Sequence, residues 1–410
     1  MKSPFVAAVA GATLVASMAM AAPASAHQSW GSPSVGAPHT IADGLTTPLS
    51  LEVDPGVSYV TQNFTGMLTA VRGHNTKTVY TSKGQEVSAV SSRGHTVYFA
   101  ETSMDHTSSK LKAMNSKGHT WTVADLYAHE KNKNPDGKVT YGFRDLPAGC
   151  TVQPTQSPEG DVPATYKGIV DTHPYSSLAL PHSIYVADAG ANAILRVDDH
   201  GRVTTTAVLP AIPTLVTREA AGGVGYPDCV IGHKYWFEPV PTDVELGPDG
   251  WLYVTSLPGG PEDASLGARG AVFKVNPVNG HVKQVAHGFV GTTGLAVSKS
   301  GTIYVAEMFG GKNGTGQVSV VAPGASTGKA LIALPSPAAI EVFKGTLYVT
   351  TKAFVTDPKT GAPQPVGQIT TLSLKGHGHG HGEDAVDPAH LGHWISSAIR
   401  AMVTNGCYHH

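Results

Sequence analysis

The chain has 410 residues and a formal net charge of −2, with 28 Lys or Arg against 30 Asp or Glu. Charged residues make up only 14%, and the sequence has no basic stripe that would neutralise phosphates, which excludes nucleic acid as the expected partner. The 47 glycines and 29 prolines favour many short strands joined by tight turns. This length suffices for one large all-β domain.

The N-terminal segment has the pattern of a secretory signal peptide. Lys2 precedes an apolar run, and this run ends in the small residues Ala24-Ser25-Ala26. The pattern predicts cleavage before His27, so residues 1–26 should be absent from the mature fold and the protein should be secreted. No later stretch has the roughly 18 consecutive apolar residues that a transmembrane helix needs, so no transmembrane segment is expected.

Six hexapeptides with a central tyrosine recur along the chain, and Val or Phe follows each tyrosine. A turn and an apolar strand precede most copies, and an alternating strand follows each one, so every unit predicts a four-stranded meander. The hexapeptides are apolar at consecutive positions, which indicates that neighbouring sheets cover both faces. The copies are VSYVTQ (57–62), TVYFAE (96–101), SIYVAD (183–188), WLYVTS (251–256), TIYVAE (302–307) and TLYVTT (346–351).

Stacking of these units around an axis predicts an all-β fold, a six-bladed β-propeller over residues 38–374, because one meander alone cannot cover both of its faces. The sixth unit supplies only three strands, whereas HTIADGL (39–45) resembles the fourth strands of other units. We therefore expect an N-terminal strand to complete the last blade and remove its open edge. Two separate sandwiches would explain the strands but not the recurring hexapeptide.

The stretches GLAVSKSGTIYVAE and SIYVADAGANAILRVDDHG resemble NHL-type and TolB-like propeller repeats. With the signal peptide and the block PTDVELGPDGWLYVTSLPGGPE, the chain is similar to the ScyD/ScyE family, secreted bacterial proteins named after a pigment-biosynthesis cluster. The resemblance covers about residues 38–374 and implies the six-bladed fold. It implies no particular reaction, because blade motifs identify a fold rather than its chemistry.

Two long interruptions of the repeats, about 130–168 and 211–239, flank the third unit. In a propeller both enter the rim that carries the loop after each second strand, and long loops on one rim favour a binding site there. The three cysteines, Cys150, Cys229 and Cys407, do not by their number decide which two pair. Because Cys150 and Cys229 lie in the two interruptions, we predict a disulfide between them.

Carboxylates at this rim are candidate ligands for Ca²⁺ or another divalent cation, as in the lactonase-type propellers that the fold resembles. Asp243 is the first candidate, and Glu307 and Asp188 come next. The alternative is that Asp188 and Glu307 accept backbone N–H groups in the loops that follow them. In YVADAGAN, Asp188 and Asn192 would then only form the turn.

The second interruption also predicts a recognition surface, because YPDCVIGHKYWFEPVPTD (226–243) gathers aromatic side chains beside polar groups. Such a surface suits a small-molecule or protein ligand. The alternative is that the aromatic rings only pack the insertion onto its own blade. The residues expected to contact the ligand are Asp171, His173, Tyr235, Trp236 and Asp243.

The C-terminal segment differs in composition from the repeats. GHGHGHG carries His377, His379 and His381, and the segment 375–386 is either a polar linker or a site for Zn²⁺, Ni²⁺ or Cu²⁺. An amphipathic helix is predicted over 387–406, too short to span a membrane. This helix and Cys407 are candidates for an intermolecular contact.

These patterns favour a secreted propeller that binds a ligand or a protein through the loop-bearing rim. The alternative is a metal-dependent, lactonase-like hydrolase or a factor in secondary-metabolite biosynthesis. The sequence does not identify a cofactor, and Ca²⁺ or another divalent metal is the candidate.

Overall fold

The computed structural model describes residues 33–157, 160–375 and 384–387, and the side chains of these residues other than 155–161. The predicted signal peptide, the histidines at 377, 379 and 381, the predicted helix beyond residue 387, and Cys407 lie outside the described residues. Within the described ranges, no helix combines the length and the apolar character needed to cross a membrane.

Two strands precede the repeats, and the first half of the chain then forms two meanders and an insertion. The two N-terminal strands are β1 (Ser34–Val35) and β2 (His39–Leu45). Sheet 1 comprises β3 (Leu51–Asp54), β4 (Val57–Gln62), β5 (Met67–Arg72) and β6 (Asn75–Thr81). Sheet 2 comprises β7 (Glu86–Arg93), β8 (Thr96–Thr102), β9 (Ser109–Asn115) and β10 (Thr120–Asp125). The first insertion contains α1 (Leu126–Lys133), β11 (Thr140–Phe143), β12 (Thr155–Ser157), β13 (Gly160–Val162) and β14 (Thr165–Lys167).

The second half contains four further meanders and a second insertion. Sheet 3 comprises β15 (Pro174–Leu180), β16 (Ser183–Asp188), β17 (Ala193–Asp198) and β18 (Val203–Val208), and the second insertion comprises β19 (Ile212–Leu215), α2 (Arg218–Gly223) and β20 (Lys234–Phe237). Sheet 4 comprises β21 (Pro241–Leu246), β22 (Leu252–Ser256), β23 (Gly270–Val275) and β24 (Val282–Phe289). Sheet 5 comprises β25 (Thr292–Val297), β26 (Ile303–Glu307), β27 (Gln317–Val321) and β28 (Lys329–Ala333), and sheet 6 contains β29 (Ile340–Phe343), β30 (Thr346–Thr351) and β31 (Gly367–Lys375).

The first strands of these sheets contact one another in a closed cycle. β3 contacts β7, β7 contacts β15, β15 contacts β21, β21 contacts β25, β25 contacts β29, and β29 contacts β3. In sheets 1 to 5 the other strands follow outward in chain order, whereas in sheet 6 β1 and β2 lie outside β31. Four-stranded sheets whose first strands surround a common axis form a β-propeller, as the hexapeptide repeats predicted.

The N-terminal strand β2 completes sheet 6, and this prediction is confirmed. β2 pairs antiparallel with β31, with His39 opposite Thr371 and Leu45 opposite Gly367. Ala42 and Leu45 of β2 are buried and pack in one cluster with residues of sheet 1. The N-terminal strand β2 therefore joins the last sheet and covers its outer edge.

The apolar cores lie between neighbouring sheets, which explains why the second strands are apolar at consecutive positions. In β16, Ile184 and Val186 pack against sheet 2, whereas Tyr185 and Ala187 pack against sheet 4. Successive side chains of a strand point to opposite faces, so both faces of sheet 3 are buried. The recurring hexapeptide is therefore mainly a packing motif.

All long connections lie on one rim, which we call the loop-bearing rim. Because successive strands are antiparallel, the loop after each second strand and the link to the next sheet end on the same side. Both insertions are links of this kind, after β10 and after β18. The opposite rim carries short turns, and two of its residues, Lys299 and Lys344, donate backbone N–H groups to Asp384 in the short C-terminal segment.

The sequence suggested that the two insertions are loops. Together they instead form a sheet, which we call the insertion sheet. Its strand order is β14-β11-β20-β19, so that strands of the first insertion pair with strands of the second. The pairs that join the insertions are Gly142 with Trp236 and Phe143 with Tyr235. The predicted disulfide is confirmed, since Cys150 and Cys229 are bonded with Cα atoms 5.8 Å apart.

Candidate functional site

Asp188 is the last residue of β16, at the rim, and accepts hydrogen bonds from the neighbouring backbone. Its side chain is fully buried; one oxygen accepts from the Thr172 hydroxyl at 2.7 Å, and the other accepts from the backbone N–H groups of His173 at 2.7 Å and Ala191 at 3.3 Å. Burial raises the pKa of Asp188, and these hydrogen bonds oppose the rise. Both of its oxygens accept hydrogen bonds from neighbours, which is the structural alternative that the sequence left open.

Asn192 in the same loop connects both insertions. It has a left-handed backbone, with φ of 54°, which asparagine tolerates better than most residues. Its side-chain N–H donates to Asp136 of the first insertion at 2.9 Å, and its side-chain oxygen accepts from the backbone N–H of Val240, after the second insertion, at 3.1 Å. The YVADAGAN loop thus anchors the bases of both insertions on sheet 3.

Asp243 and Glu307 are buried at two other places of the ring. Asp243 accepts from Ser176 of sheet 3 at 2.5 Å and from the Leu295 N–H of sheet 5 at 2.8 Å, so it ties three neighbouring sheets together. Glu307 accepts from the Val290 N–H and from the Gln317 and Ser319 side chains. The structure does not bring Asp188, Asp243 and Glu307 to one cation site. Among the described residues, the one group of three or more His, Cys, Asp or Glu side chains with ligand atoms within 4.8 Å of one another lies elsewhere.

Three glutamates of the first strands converge in the central channel. Glu52, Glu245 and Glu341 each lie opposite a tyrosine of the hexapeptide, in sheets 1, 4 and 6. Burial, and then the charge of Asp54, raises the pKa of Glu52 to about 8, and burial followed by the neighbouring acids raises that of Glu245 and Glu341 well above the usual value. With Asp243, these groups make the channel strongly acidic.

Two histidine–carboxylate hydrogen bonds lie side by side at the rim end of sheets 2 and 3. His173 Nε2 bonds Glu86 Oε2 at 2.8 Å, and His106 Nδ1 bonds Asp171 Oδ1 at 2.8 Å. Asn63 donates to the second oxygen of Glu86 at 2.8 Å. The structure therefore places the predicted Asp171 and His173 together and adds Glu86 and His106. The sequence did not indicate these two, because they belong to sheet 2 and are distant in the chain from Asp171 and His173.

The histidine rings in this cluster are stacked rather than aimed at a common point. Their centroids lie 4.6 Å apart and their planes differ by 20°. A metal ion binds imidazole nitrogen in the plane of the ring at about 2.0–2.1 Å, and two nearly parallel rings at this separation do not share such a position. Glu86, His106 and His173 thus form a charge network, although their ligand atoms lie within 4.8 Å of one another.

The stability of this network should depend on pH. Burial opposes the charge on both groups, but the bond between them outweighs it, raising the pKa of His173 above 6.5 and lowering that of Glu86 below 4.5. The raised pKa of His173 stabilises the fold fully below pH 6.5, and this contribution is lost as pH rises through the folded pKa. The lowered pKa of Glu86 stabilises the fold fully above pH 4.5, and this contribution is lost as pH falls through the folded pKa. The denaturant midpoint of the wild type should fall as pH rises above 6.5, and we expect this fall to be smaller in His173→Gln. In His182→Gln, which changes the exposed pair with Asp199, the fall should equal that of the wild type. An unchanged decline in the first variant would contradict this.

An apolar pocket of about 530 Å³ opens between the insertion sheet, α2 and the loop between β22 and β23; we call it the insertion pocket. Tyr235 and Phe237 of β20 and Tyr166 of β14 contribute aromatic rings, and Thr214, Glu219 and Glu238 contribute polar groups. The Thr214 hydroxyl is buried and has no hydrogen-bond partner among the described residues. Burial raises the pKa of Glu238, while hydrogen bonds from Asn192 and Tyr166 oppose this rise.

The aromatic side chains of the second insertion divide between core and pocket. Tyr226 and Tyr235 are buried in the insertion core, with hydroxyls that donate to the carbonyls of Val162 and Pro163 at 2.8 Å, so the packing alternative holds for part of each ring. Trp236 has Arg144 over its ring at 3.9 Å and does not line the insertion pocket, whereas Tyr235 does. Successive strand residues face opposite sides, which separates these neighbours.

A larger cleft of about 840 Å³ lies between sheets 1 and 2, away from both insertions. Turn residues such as Pro55, Gly94, His95 and Lys117 line it. It has no aromatic cluster comparable with that of the insertion pocket, so it is the weaker candidate for a ligand site.

Comparison with known proteins does not assign a family. No family model matches the chain, and no curated protein matches it. The ScyD/ScyE resemblance therefore stays a prediction from the sequence.

Solved propeller structures are similar to this chain only at low levels. The PQQ-bound aldose sugar dehydrogenase of Streptomyces coelicolor shares 13% identity with a TM-score of 0.49, covering 84% of this chain and 98% of its own. A gluconolactonase of Xanthomonas campestris shares 10% identity with a TM-score of 0.48 over 84% and 94% of the two chains. TolB of Acinetobacter baumannii shares 12% identity with a TM-score of 0.40 over 84% and 64%. Similarities at these levels assign neither a substrate nor a reaction to this protein.

Proposed function

We propose that this protein is a secreted, six-bladed β-propeller of the ScyD/ScyE type that binds a small amphipathic ligand in the insertion pocket. Sheets 1 to 6 would be the blades, since their first strands form the closed cycle, and the insertion sheet would lie outside it. The N-terminal sequence supports secretion, and the disulfide suits an oxidising compartment.

The insertion pocket is the observation that carries this proposal. Its volume of about 530 Å³ lies in the range of small-molecule sites, and it combines an aromatic floor with a few polar groups. The disulfide, the insertion sheet and Asn192 hold its walls together. A site built on such supports is preorganised, so little ordering is needed when a ligand binds.

The polar groups define the ligand class. Carboxylates of Glu219 and Glu238 and the unpartnered hydroxyl of Thr214 favour a ligand with hydroxyl or amine donors, and the rings of Tyr235 and Phe237 favour a ring system that packs on them. We therefore propose a ring-bearing molecule that is neutral or cationic. An anionic ligand would meet two acidic groups and is not expected.

A pair of adjacent glycines gives a matched test. Gly222 and Gly223 end α2, neither has a positive φ, and a Cβ added at either meets no atom within 4 Å, but only Gly223 lines the pocket. Ring-bearing compounds that raise the melting temperature of the protein should bind Gly223→Trp about tenfold more weakly or worse, because the indole occupies the pocket. Gly222→Trp should keep the wild-type affinity.

Calorimetric titration of each compound into the two variants measures this difference. Equal affinity of both variants would place the ligand elsewhere and refute the pocket as the binding site. Glu238→Gln adds a second readout, because loss of the charge should weaken amine-bearing compounds about tenfold and leave hydroxyl-bearing ones less affected.

A metal-dependent, lactonase-like hydrolase or a factor in secondary-metabolite biosynthesis is the second candidate, favoured by the acidic central channel. Glu52, Glu245, Glu341 and Asp243 carry oxygens of the type that Ca²⁺ prefers, although among the described residues no three of them have ligand atoms within 4.8 Å of one another. Metal analysis of the purified protein tests this candidate. Stoichiometric calcium that disappears in Asp243→Asn, together with lactone hydrolysis that disappears with it, is the expected result, and hydrolysis without bound metal would exclude this mechanism.

A further inference from the structure

The last turn of α1 and the turn that follows it hold four buried oxygen atoms that accept no hydrogen bond of ordinary geometry. They are Glu130 Oε1 and Oε2, Asn134 Oδ1 and Asp136 Oδ1. Glu130 and Asp136 are fully buried, with 0% of each residue exposed. Only two other side-chain atoms in the described part of the chain are buried in this way, on Tyr185 and Thr214. When Glu130 is ionised, all four atoms are acceptors and cannot satisfy one another.

The backbone curls sharply around these atoms. Asn134 has a left-handed conformation, with φ of 38°, and its N–H caps α1 by donating to the Glu130 carbonyl at 2.7 Å. Gly137 then donates to the Asn134 carbonyl at 3.0 Å, and Val139 to the Asp136 carbonyl at 2.7 Å. The turn is therefore held by its own backbone, independently of the four side-chain oxygens.

The remaining polar atoms of the same side chains are bonded and fix their orientation. Asp136 Oδ2 accepts from the Tyr141 hydroxyl at 2.9 Å and from the Asn192 side chain at 2.9 Å. The Asn134 side-chain N–H donates to the Gly168 carbonyl at 3.1 Å. Such outer contacts are typical of metal ligands, whose free oxygens they orient.

Gly168 packs directly against Asp136 of this group. A Cβ on Gly168 would lie 2.0 Å from Asp136 Oδ1, so even an alanine there would displace the carboxylate. The Gly168 backbone thus packs against the oxygen that has no donor. This close approach is a second indication that the position is shaped around the acidic group.

The charges at the turn are also uncompensated. Burial, followed by the negative charges of Asp188 and Asp136, raises the pKa of Glu130 to about 8, and the Asp171 backbone N–H offsets only part of this rise. Burial raises the pKa of Asp136 as well. A cation would compensate both carboxylates, whereas a proton on Glu130 supplies one donor and would leave at least two of the four oxygens without a partner.

We propose that Glu130, Asn134 and Asp136 form a binding site for Ca²⁺, separate from the central channel. The three side chains offer four oxygens and two negative charges, the ligand type that Ca²⁺ takes at about 2.3–2.6 Å, and backbone carbonyls or waters complete the usual six to eight. Through Asp136 and Asn192, the ion would stabilise the base of both insertions. The site does not depend on the proposed ligand of the insertion pocket.

Terbium(III) luminescence tests the site directly on the full chain, since Tb³⁺ replaces Ca²⁺ at oxygen sites and does not favour histidine. The Tyr141 ring lies beside the site and should sensitise the bound ion. We expect one Tb³⁺ per chain, displaced by Ca²⁺, and at least about hundredfold weaker binding in Glu130→Gln and Gly168→Ala. Asp43→Asn, which removes an exposed carboxylate of β2, is the control and should bind as the wild type does.

Two outcomes would overturn the proposal. The first is absence of Tb³⁺ and Ca²⁺ binding to the folded wild-type protein at millimolar concentrations. The second is binding that survives in Glu130→Gln and Gly168→Ala and disappears in Glu245→Gln, which would assign the ion to the channel.

Thermal unfolding separates loss of the ion from loss of the fold. Ca²⁺ should raise the melting temperature of the wild type, because it binds only the folded state. In EDTA, Glu130→Gln should melt no lower than the wild type, since it removes a buried charge that has no partner. In Ca²⁺ it should show no rise, and a rise equal to that of the wild type would contradict the assignment.

Discussion

Deletion of residues 38–45 is expected to lower the melting temperature of the whole propeller by roughly 10 °C or more. The deletion removes β2, exposes β31 as an open edge, and takes Ala42 and Leu45 out of the cluster that joins sheets 6 and 1. Because the ring closes at this point, the loss should affect all sheets and not only the last. Differential scanning calorimetry measures it, and an unchanged transition would show that β2 does not close the ring.

Two point substitutions in β2 separate packing from chain length. Leu45 is buried, so Leu45→Ala should cost about 2–5 kcal/mol. Asp43 is exposed in the same strand, so Asp43→Ala should change stability by less than about 0.5 kcal/mol. Similar losses in both variants would indicate that backbone pairing, and not the buried cluster, provides the stability.

Removal of the Cys150–Cys229 disulfide is expected to destabilise the insertions by about 4 kcal/mol, because the bond closes a loop with a sequence separation of 79. The double variant Cys150→Ser/Cys229→Ser should be cleaved by protease within the insertions before the sheets of the ring unfold. The insertion pocket should lose its ligands in parallel, since its walls belong to both insertions.

Cys407→Ser is the matched control for this variant, because it leaves the disulfide unchanged. It should keep the wild-type protease pattern and ligand affinity. Ligand binding that survives in the double variant would mean that the strand pairs between β11 and β20 hold the pocket without the covalent bond.

The repeats made the ring predictable because each blade is local in sequence. Tyr185 and its aliphatic neighbours recur in each unit, and antiparallel strands joined by short turns pair with their nearest neighbours. The closing strand was predictable for the same reason, since the last unit lacked one strand. The disulfide followed from the position of the insertions relative to sheet 3.

The insertion sheet was not predictable in this way. β11 and β20 have four residues each and pair across about 90 residues of intervening chain, so neither periodicity nor turn signals reveal them. The insertion pocket depends on this pairing. Aromatic residues at 226–237 indicated a recognition surface, but only the alternation within β20 shows that Tyr235 faces the pocket and Trp236 does not.

The sequence also did not show which buried carboxylates have hydrogen-bond donors and which have none. Asp188 and Asp243 were singled out at the rim, and each is engaged by donors of its neighbours, whereas Glu130 and Asp136 lie in a segment that carries no known motif. Whether a buried carboxylate has donors depends on side chains distant in the sequence, such as Asn192 and Tyr141 for Asp136. The Glu52, Glu245 and Glu341 group had a signal, since each precedes the same turn of its repeat.

A crystal structure with the tightest-binding ring compound from the thermal-shift screen tests the pocket assignment most directly. The account predicts electron density for the compound on the rings of Tyr235 and Phe237, with a donor group bonded to Glu238 or Thr214. Density in the central channel among Glu52, Glu245 and Glu341, with the insertion pocket filled by solvent alone, would contradict it.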